Sequence, residues 1–378
     1  MRSDLAARGI TADLSLTGYY AGLFQGGVAD GGFDFGGRAD AFLNFDFEKL
    51  GLWERGGFRT HLESRFGEAA DRRFPRSGGI WPQNTGIVLP LGEPDRLVAS
   101  SLYFTQGIGD RTNLLLGKIN VEDLLARDPF FGGWGRDRFT NLAFVAPPSG
   151  VVPPTIMGGI LNYQAAPLTF TFMAFDPDDR TNDYWPDDLF SSGVNLSLAA
   201  TWSGEIADRI SSIGITGTYS TKDGADLGDF LLPPDLKGGT KQGSYNVALS
   251  VSHLLYEIPG SPGKGFGVYA KAAVADGNPN PIRGSFVGGF AGHGIIPSRP
   301  DDSFGIGYYS YNLSDELQGA FSPLGPAFSI NDEKGVEIYY NLAVTPWFRV
   351  TADVQWIDPA RAVFPNAWVG GLRASLSF

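Results

Sequence analysis

Four ionisable side chains occupy alternate positions in the stretch FRTHLESRF, where Arg59, His61, Glu63 and Arg65 are separated by single residues. On a strand that spacing sends all four to one side and Phe58, Leu62 and Phe66 to the other. Two guanidinium forks, a carboxylate and an imidazole on one face can form charge-assisted hydrogen bonds to a hydroxyl-rich solute without covalent chemistry. The same parity, followed along other segments, adds Arg38, Asp40, Asp46, Glu48, Lys118, Lys271, Glu337, Arg349, Asp353 and Arg373. Two readings stand for this set: contacts for a solute in a wet interior, or a salt-bridged ladder that satisfies the interior itself.

A second group is neutral and polar: Asn195, Ser197, Thr201, Ser212, Thr216, Thr218, Asn246, Ser250 and Ser252. Trp81, Phe130, Phe131 and Trp134, with Arg136 close by, lie in long connecting segments and could offer aromatic plates to the C–H faces of a ring. The alternative is that these rings pack a long loop against a wall. Catalysis has little support: His253 falls on the apolar parity, His293 sits among glycines, His61 lies between ions, and none has a defensible Ser/Asp arrangement. The sequence thus reads as a non-enzyme. The acidic stretch DPDDRTNDYWPDD, residues 176 to 188, lacks the ordered spacing of a Ca²⁺ loop and reads as a solvated loop. Gly263-Lys264-Gly265 lacks a phosphate-binding frame and reads as a turn. No cofactor and no metal are expected.

The elements that place these residues are strands. The final stretch AWVGGLRASLSF puts Trp368, Leu372, Leu376 and Phe378 on one parity and Arg373, Ser375 and Ser377 on the other, a period of two. The pattern recurs near 11–24, 35–48, 57–67, 95–106, 111–119, 154–164, 167–176 and 191–202, and again near 211–221, 243–256, 264–275, 283–295, 303–313, 334–344, 347–357 and 367–378. Strands of about 10 to 12 residues, apolar on one face and polar on the other, suit tilted membrane strands. Short links (KLGLWERGG, QGIGDR, QAAP, SGEIADR, IPGSPG, IPSRPDD, VTPW) alternate with long ones around 25–34, 68–94, 120–153, 177–190, 222–242, 276–282, 314–332 and 358–366.

The expected fold is all-β: a transmembrane, antiparallel, up-and-down barrel of about 16 strands with inward-folded extracellular loops, forming one domain over residues 1–378. Residues 1–10 form a periplasmic N-terminal segment. The long loops 68–94 and 120–153 are the candidate constriction, the second through a short helix, VEDLLAR, capped by Asn120. Residues 138–148, RFTNLAFVAPP, leave the strand count open. Phe378, facing outward at the end of the last strand, reads as an assembly signal.

Composition narrows the partners. The formal charge of -12 disfavours nucleic acid, which needs a basic face. With no cysteine, disulfides and thiolate metal sites are impossible. Mean hydropathy is -0.08 and no stretch reaches the roughly 20 apolar residues of a membrane helix. Met1-Arg2-Ser3 leads directly into polar residues, so any secretion signal is removed or absent.

Several stretches resemble the carbohydrate-selective porins of Gram-negative outer membranes, the OprB-like family: FEKLGLWERGGFRTHLESRFG from Phe47, LLLGKINVEDLLARDPF from Leu114, FTNLAFVAPPSG from Phe139, PSRPDDSFGIGYYSY from Pro297, and GVEIYYNLAVTPWFRVTADVQWIDPA from Gly335, running on into VGGLRASLSF. The resemblance implies a sixteen-stranded porin through which monosaccharides, glucose above all, diffuse passively. It also implies an outer-membrane location, contact with outer-membrane lipid and with the assembly machinery, and an oligomeric state of monomer or trimer. The expected eyelet is Arg59, His61, Glu63, Arg65, Lys118, Trp81, Trp134 and Arg136; the lumen wall is Arg38, Asp40, Asp46, Glu337, Arg349, Asp353 and Arg373. A porin for another small solute such as an organic acid, or an outer-membrane enzyme, is the alternative.

Overall fold

The computed structural model describes residues 2–28, 32–67, 76–88, 96–125, 128, 130, 133–261 and 263–378. A short helix, α1 (Arg2–Ala7), precedes sixteen strands. They are β1 (Ile10–Gln25), β2 (Phe33–Asp46), β3 (Gly56–Gly67), β4 (Leu97–Ile108), β5 (Thr112–Asn120), β6 (Thr155–Ala165), β7 (Leu168–Phe175) and β8 (Asn195–Ile206). The second half comprises β9 (Arg209–Ala225), β10 (Thr240–Glu257), β11 (Gly265–Ala275), β12 (Ile282–His293), β13 (Ser303–Leu313), β14 (Glu333–Thr345), β15 (Phe348–Asp358) and β16 (Ala367–Ser377).

Each strand pairs antiparallel with its chain neighbours, and β1 pairs with β16, so the sheet closes. Hydrocarbon offers no partner for an unpaired N–H or C=O, so only a closed sheet can stand in it. The seam runs from Ser15 opposite Ser377 to Gln25 opposite Trp368. Beyond it, Phe378 N–H donates to the Leu14 carbonyl at 2.8 Å. The two parities separate as the sequence predicts: Leu372 is 56 % exposed on the outer face and Arg373 is 1 % exposed on the inner.

Two segments differ from expectation. SGEIADR was expected as a turn, but β8 and β9 run through most of it and only Ala207 and Asp208 connect them, with φ of 51° and 57°. Two left-handed residues make the tight hairpin turn whose twist matches its strands. Residues 138–148 form no strand. They contain a helical turn, α4 (Leu142–Val145), whose Asn141 side chain accepts from the Ala143 N–H at 2.9 Å, and all four of its residues are buried inside the barrel. A barrel-wall strand shows lipid an apolar face; this run is apolar on every side because protein surrounds it.

The interior is therefore filled on one side. Phe139 and Phe144 pack on Tyr269, Tyr309 and Tyr339 of the wall. Phe144 fits because β13 carries glycine opposite it: a Cβ at Gly307 would stand 2.4 Å from the ring. On the outer face the strands expose apolar side chains, among them Leu116, Ile215, Ile338 and Leu372.

Single cysteines test this register. Ile215→Cys and Leu372→Cys, facing lipid, should resist a membrane-impermeant thiol reagent in proteoliposomes, whereas Thr216→Cys and Arg59→Cys should react. Equal labelling of adjacent Ile215 and Thr216 positions would overturn the assigned faces.

Candidate functional site

Arg38 of β2 is the centre of the charged wall. Its side chain has no exposed surface, and it donates to Asp40 Oδ1 and Glu63 Oε2 at 2.7 Å each and to the Gly86 carbonyl at 3.3 Å. Gly86 belongs to α2 (Thr85–Val88), a helical turn in the long loop after β3. Arg65 of β3 reaches the same turn, donating to the Val88 carbonyl at 2.7 Å. His61 of β3 stands between two carboxylates, with Nε2 at 2.9 Å from Asp40 and Nδ1 at 2.9 Å from Asp123. Two acceptors require two donated protons, which only the imidazolium carries. Asp40, His61 and Glu63 offer atoms within 4.8 Å of one another, the reach of a metal site, but Arg38 already occupies the space between the two carboxylates.

Asp123 lies on α3 (Val121–Leu125), which opens the long loop between β5 and β6. Asn120 accepts from the Glu122 N–H at 3.0 Å, the cap that the sequence predicts. Glu122 faces Arg38 at 3.6 Å, and neither of its carboxylate oxygens has a hydrogen bond among the described residues. Burial, with Glu63 nearby, pushes its carboxyl up to about 8. For Asp123, burial is outweighed by His61, Ser101 and Trp134, which hold it below the usual carboxylate range.

On the neighbouring side of the seam, β14–β16 hold the rest of that loop. Glu337 of β14 accepts from the backbone N–H groups of Thr140 (2.6 Å) and Asn141 (2.9 Å). Arg373 of β16 donates to the carbonyls of Gly135, at 2.6 Å, and of Arg138. Gln355 of β15 ties both loops together, donating to the Gln83 carbonyl and the Thr140 hydroxyl at 2.9 Å each. These contacts answer where the loops' buried backbone groups find partners.

Where the loop turns, Trp134 has φ 53°, between Gly133 and Gly135, which are also left-handed. A bulky residue held there stores about 1–3 kcal/mol, a cost that clusters at functional positions. Its indole N–H donates to Asp123 at 2.8 Å, the Arg136 guanidinium lies 4.7 Å over the ring, and Phe42 packs at 5.4 Å. Below this group opens a cavity of about 720 Å³, lined by Arg59, Tyr103, Asp123, Trp134, Arg136 and Asn162 among others.

The residues expected at one eyelet therefore separate. Arg59, Trp134 and Arg136 meet at the cavity. His61, Glu63 and Arg65 are buried beneath the loops. Lys118 points to another loop, donating to the carbonyls of Thr181 (2.6 Å) and Asp183 (3.1 Å). Trp81 packs on Tyr311 with ring centres 5.0 Å apart, away from the cavity. Of the expected wall, Arg38, Asp40, Glu337, Asp353 and Arg373 are buried by the loops they hold rather than open to the lumen. Asp46 and Arg349 lie towards the short turns, Asp46 beside Lys49 and Arg349 on the Asp301 carbonyl. Phe130 stacks on Tyr269, and Phe131 lies outside the described residues.

The acidic loop is not simply solvated, since Arg180 sits among its carboxylates and bonds Asp176, Asp183 and Asp188 at 2.9–3.2 Å. Sequence reasoning missed Phe42 and Tyr103, aromatics on the polar parity, which was the available signal. It also missed Ser211, which β-pairing sets opposite His253, with its hydroxyl 2.8 Å from Nδ1. Ser211 is 1 % exposed and also donates to the Arg209 carbonyl at 3.0 Å, the geometry of an interfacial structural bond.

Known proteins fit this architecture. The high-pH structure of Pseudomonas putida OprB superposes with a TM-score of 0.85 at 19% identity, covering 100% of this chain and 96% of that one. Its low-pH structure gives 0.62 at 16% identity, covering 100% and 95%. A loop-deletion mutant of OmpT, an outer membrane protein of Vibrio cholerae, gives 0.53 at 14% identity, covering 98% and 100%. At these identities the likeness is one of fold. No curated protein matches in sequence. The pattern of the carbohydrate-selective porins, OprB, matches residues 33–378, so a closed sixteen-stranded barrel with its loops bonded to the inner wall takes its place in a family: this chain belongs to the OprB family of carbohydrate-selective porins.

Proposed function

We propose that the barrel passes small uncharged sugars, glucose among them, by passive diffusion across a Gram-negative outer membrane, and that the inward loop carrying Trp134 forms the constriction. One observation carries this reading: the cavity sets an indole, a guanidinium stacked on it and the hydroxyl- and amide-bearing side chains of Thr60, Ser101, Thr105, Asn113 and Asn162 around one space. A pyranose has apolar C–H faces and a rim of hydroxyls, so it needs plates and hydrogen-bonding groups at once. A hydrogen bond to a charged group contributes roughly 1.5–3 kcal/mol at most. Several such contacts in series allow passage, whereas one deep well would hold the solute.

The path runs past the neutral wall. Arg38, Glu63 and Arg373 are covered by loops, while Thr201, Thr216, Ser250 and Ser252 stay partly exposed on the opposite side. A second reading, passage of a small organic acid, draws on Arg59, which has no ion partner among the described residues. Asp13 and Asp123 on the same cavity weigh against an anion.

In planar bilayers, Trp134→Ala and Arg59→Ala should each weaken glucose block several-fold, with Arg59→Ala also shifting ion selectivity towards cations. If both variants bind glucose as the parent does, or gluconate blocks the parent better than glucose, the sugar reading fails.

Docking of the constriction should respond to pH through Glu122, whose neighbours are Arg38, His61, Glu63 and Asp123. Its docked carboxyl titrates near 8, against roughly 4.3 for a free glutamate. The docked loop thus binds a proton that the undocked loop releases. That stabilisation is complete below the free value and is lost as pH rises through about 8. Larger, noisier conductance is expected at pH 9 than at pH 6, with Glu122→Gln quiet at both. Identical pH profiles for parent and variant would remove Glu122 from this role.

Phe378 is proposed as the signal read by the outer-membrane assembly machinery, since its ring is 59 % exposed while its backbone completes the seam. Deleting it should lower the heat-modifiable, folded fraction in the membrane more than total synthesis. Undiminished folded protein would refute this.

A further inference from the structure

Lys118 lies on the outward parity of β5, so it is no part of the lumen. Leu116, two positions earlier, pairs with outward Phe104 of β4, and the two are 54 % and 50 % exposed. Lys118 follows towards the long loops, opposite Leu102 of β4 and Met157 of β6. An ammonium facing hydrocarbon is costly unless its protons are met. A cover laid over the outside of the wall meets them. The loop between β7 and β8 first runs beside β6, with the Asp176 N–H on the Met157 carbonyl at 2.9 Å and the Arg180 N–H on the Thr155 carbonyl at 3.1 Å. It then crosses β5, where Lys118 Nζ donates to the Thr181 and Asp183 carbonyls and lies 4.7 Å from the centre of the Tyr184 ring. The Tyr184 hydroxyl accepts from the Ala99 N–H of β4 at 3.3 Å, so this flap spans β6, β5 and β4. Lys118 is left 2 % exposed beneath it.

The flap is tied down, and its tip is apolar. Arg180 bonds Asp176, Asp183 and Asp188 at 2.9–3.2 Å, and the Thr181 hydroxyl donates to that of Thr155 at 2.9 Å. Held in this way, the flap leaves Trp185 94 % exposed, with Tyr184, Leu189 and Phe190 also exposed beside it. Towards the long-loop ends of other strands the outer face carries rings: Tyr20 of β1, Phe35 of β2, Tyr219 of β9, Tyr245 of β10, Tyr308 of β13 and Trp368 of β16. Such a girdle sits where headgroups meet acyl chains. Over β5–β7 it is interrupted, because the outward positions there are Lys118, Met157 and Ala174. The flap lies over that gap and brings rings of its own.

We propose that the β7–β8 flap is a membrane-contact surface whose partner is outer-leaflet lipid: Tyr184, Trp185 and Phe190 complete the girdle over β5–β7, with Trp185 seated at the headgroup boundary. The surface is continuous with the lipid-facing wall below it, where Leu116 is exposed. An indole suits that boundary, since its ring is apolar and its N–H can donate to headgroup oxygens. The proposal rests on the outer-membrane reading given above. It gives the acidic loop a task outside the pore, fixing the depth of the β4–β7 side in the bilayer.

The chain has no cysteine, so Trp185→Cys provides a single site for a nitroxide. With the purified full chain in phosphatidylcholine liposomes, collisions with oxygen, which concentrates in the bilayer, are compared with collisions with a water-soluble nickel chelate. Leu372→Cys on the lipid face and Lys237→Cys in the β9–β10 connection serve as references. The oxygen-to-nickel ratio at 185 should lie between the two, several-fold above that at 237. A ratio equal to that at 237 would overturn the proposal. A label shielded from both reagents and broadened by a second spin would overturn it too, since a second barrel would then cover the flap. If Trp185→Cys does not assemble, quenching by phosphatidylcholine brominated near the headgroup takes its place: Trp185→Phe should lose quenchable emission relative to the parent, and equal quenching would overturn the proposal. A label at 372 as accessible to nickel as one at 237 would refute the membrane reading itself, an outcome distinct from an aqueous label at 185 alone.

Discussion

Arg38 keeps its charge where its side chain has no exposed surface, and that condition organises the lumen. An isolated ion so placed would cost several kcal/mol, so it must be met by opposite charge and by hydrogen bonds in good geometry. Asp40 and Glu63 come from the wall, whereas the Gly86 carbonyl comes from the loop after β3. The wall alone does not satisfy Arg38. The loops alone do not satisfy their own backbone either, which finds Arg65, Glu337, Gln355 and Arg373 waiting on the strands. Wall charge and loop backbone thus answer each other's desolvation, and the loops stay inside.

This division explains the two sides of the pore. Strands β1–β3 and β14–β16 are adjacent once the barrel closes, and their mixed charges are consumed in holding protein. Strands β8–β10 carry hydroxyls and amides; Asn195 holds a limb of the β5–β6 loop, while Thr201, Thr216, Ser250 and Ser252 stay partly exposed. A solute that is polar without being charged meets the side of the lumen with least Coulomb preference.

How far this was legible in the sequence follows from what parity encodes. Alternation tells which face a side chain occupies, so the outward Leu372 and inward Arg373 were plain, and a closed barrel of about sixteen strands followed with residues 138–148 left open. Parity does not tell what covers the inner face. His61, Glu63 and Arg65 face inward as expected, yet they lie under α2 and α3, and Lys118 serves a third loop. The path of a loop depends on which carbonyls meet which guanidinium groups, and no local pattern records that. Residues 138–148 were ambiguous for a related reason: an apolar run of that length reads as strand or buried turn until its surroundings are known. Ser211 was out of reach because it meets His253 through cross-strand register, 42 positions away. Trp134 was placed in a long loop beside Arg136, but its left-handed turn was not anticipated.

The left-handed segment Gly133-Trp134-Gly135 and the Glu337 grip on Thr140 and Asn141 together bear on how such channels can diversify. Surface loops commonly tolerate sequence change, because few of their groups are buried against the body of the fold. Here the loop between β5 and β6 is keyed to acids, amides and arginines on strands from opposite ends of the chain, and to a glycine on β13 that admits Phe144. A graft of this loop onto a foreign barrel would lose its sockets, and a foreign loop in this barrel would leave buried charge unmet. The inner wall and the β5–β6 loop are therefore one physical unit, in which a change on one side calls for a matching change on the other.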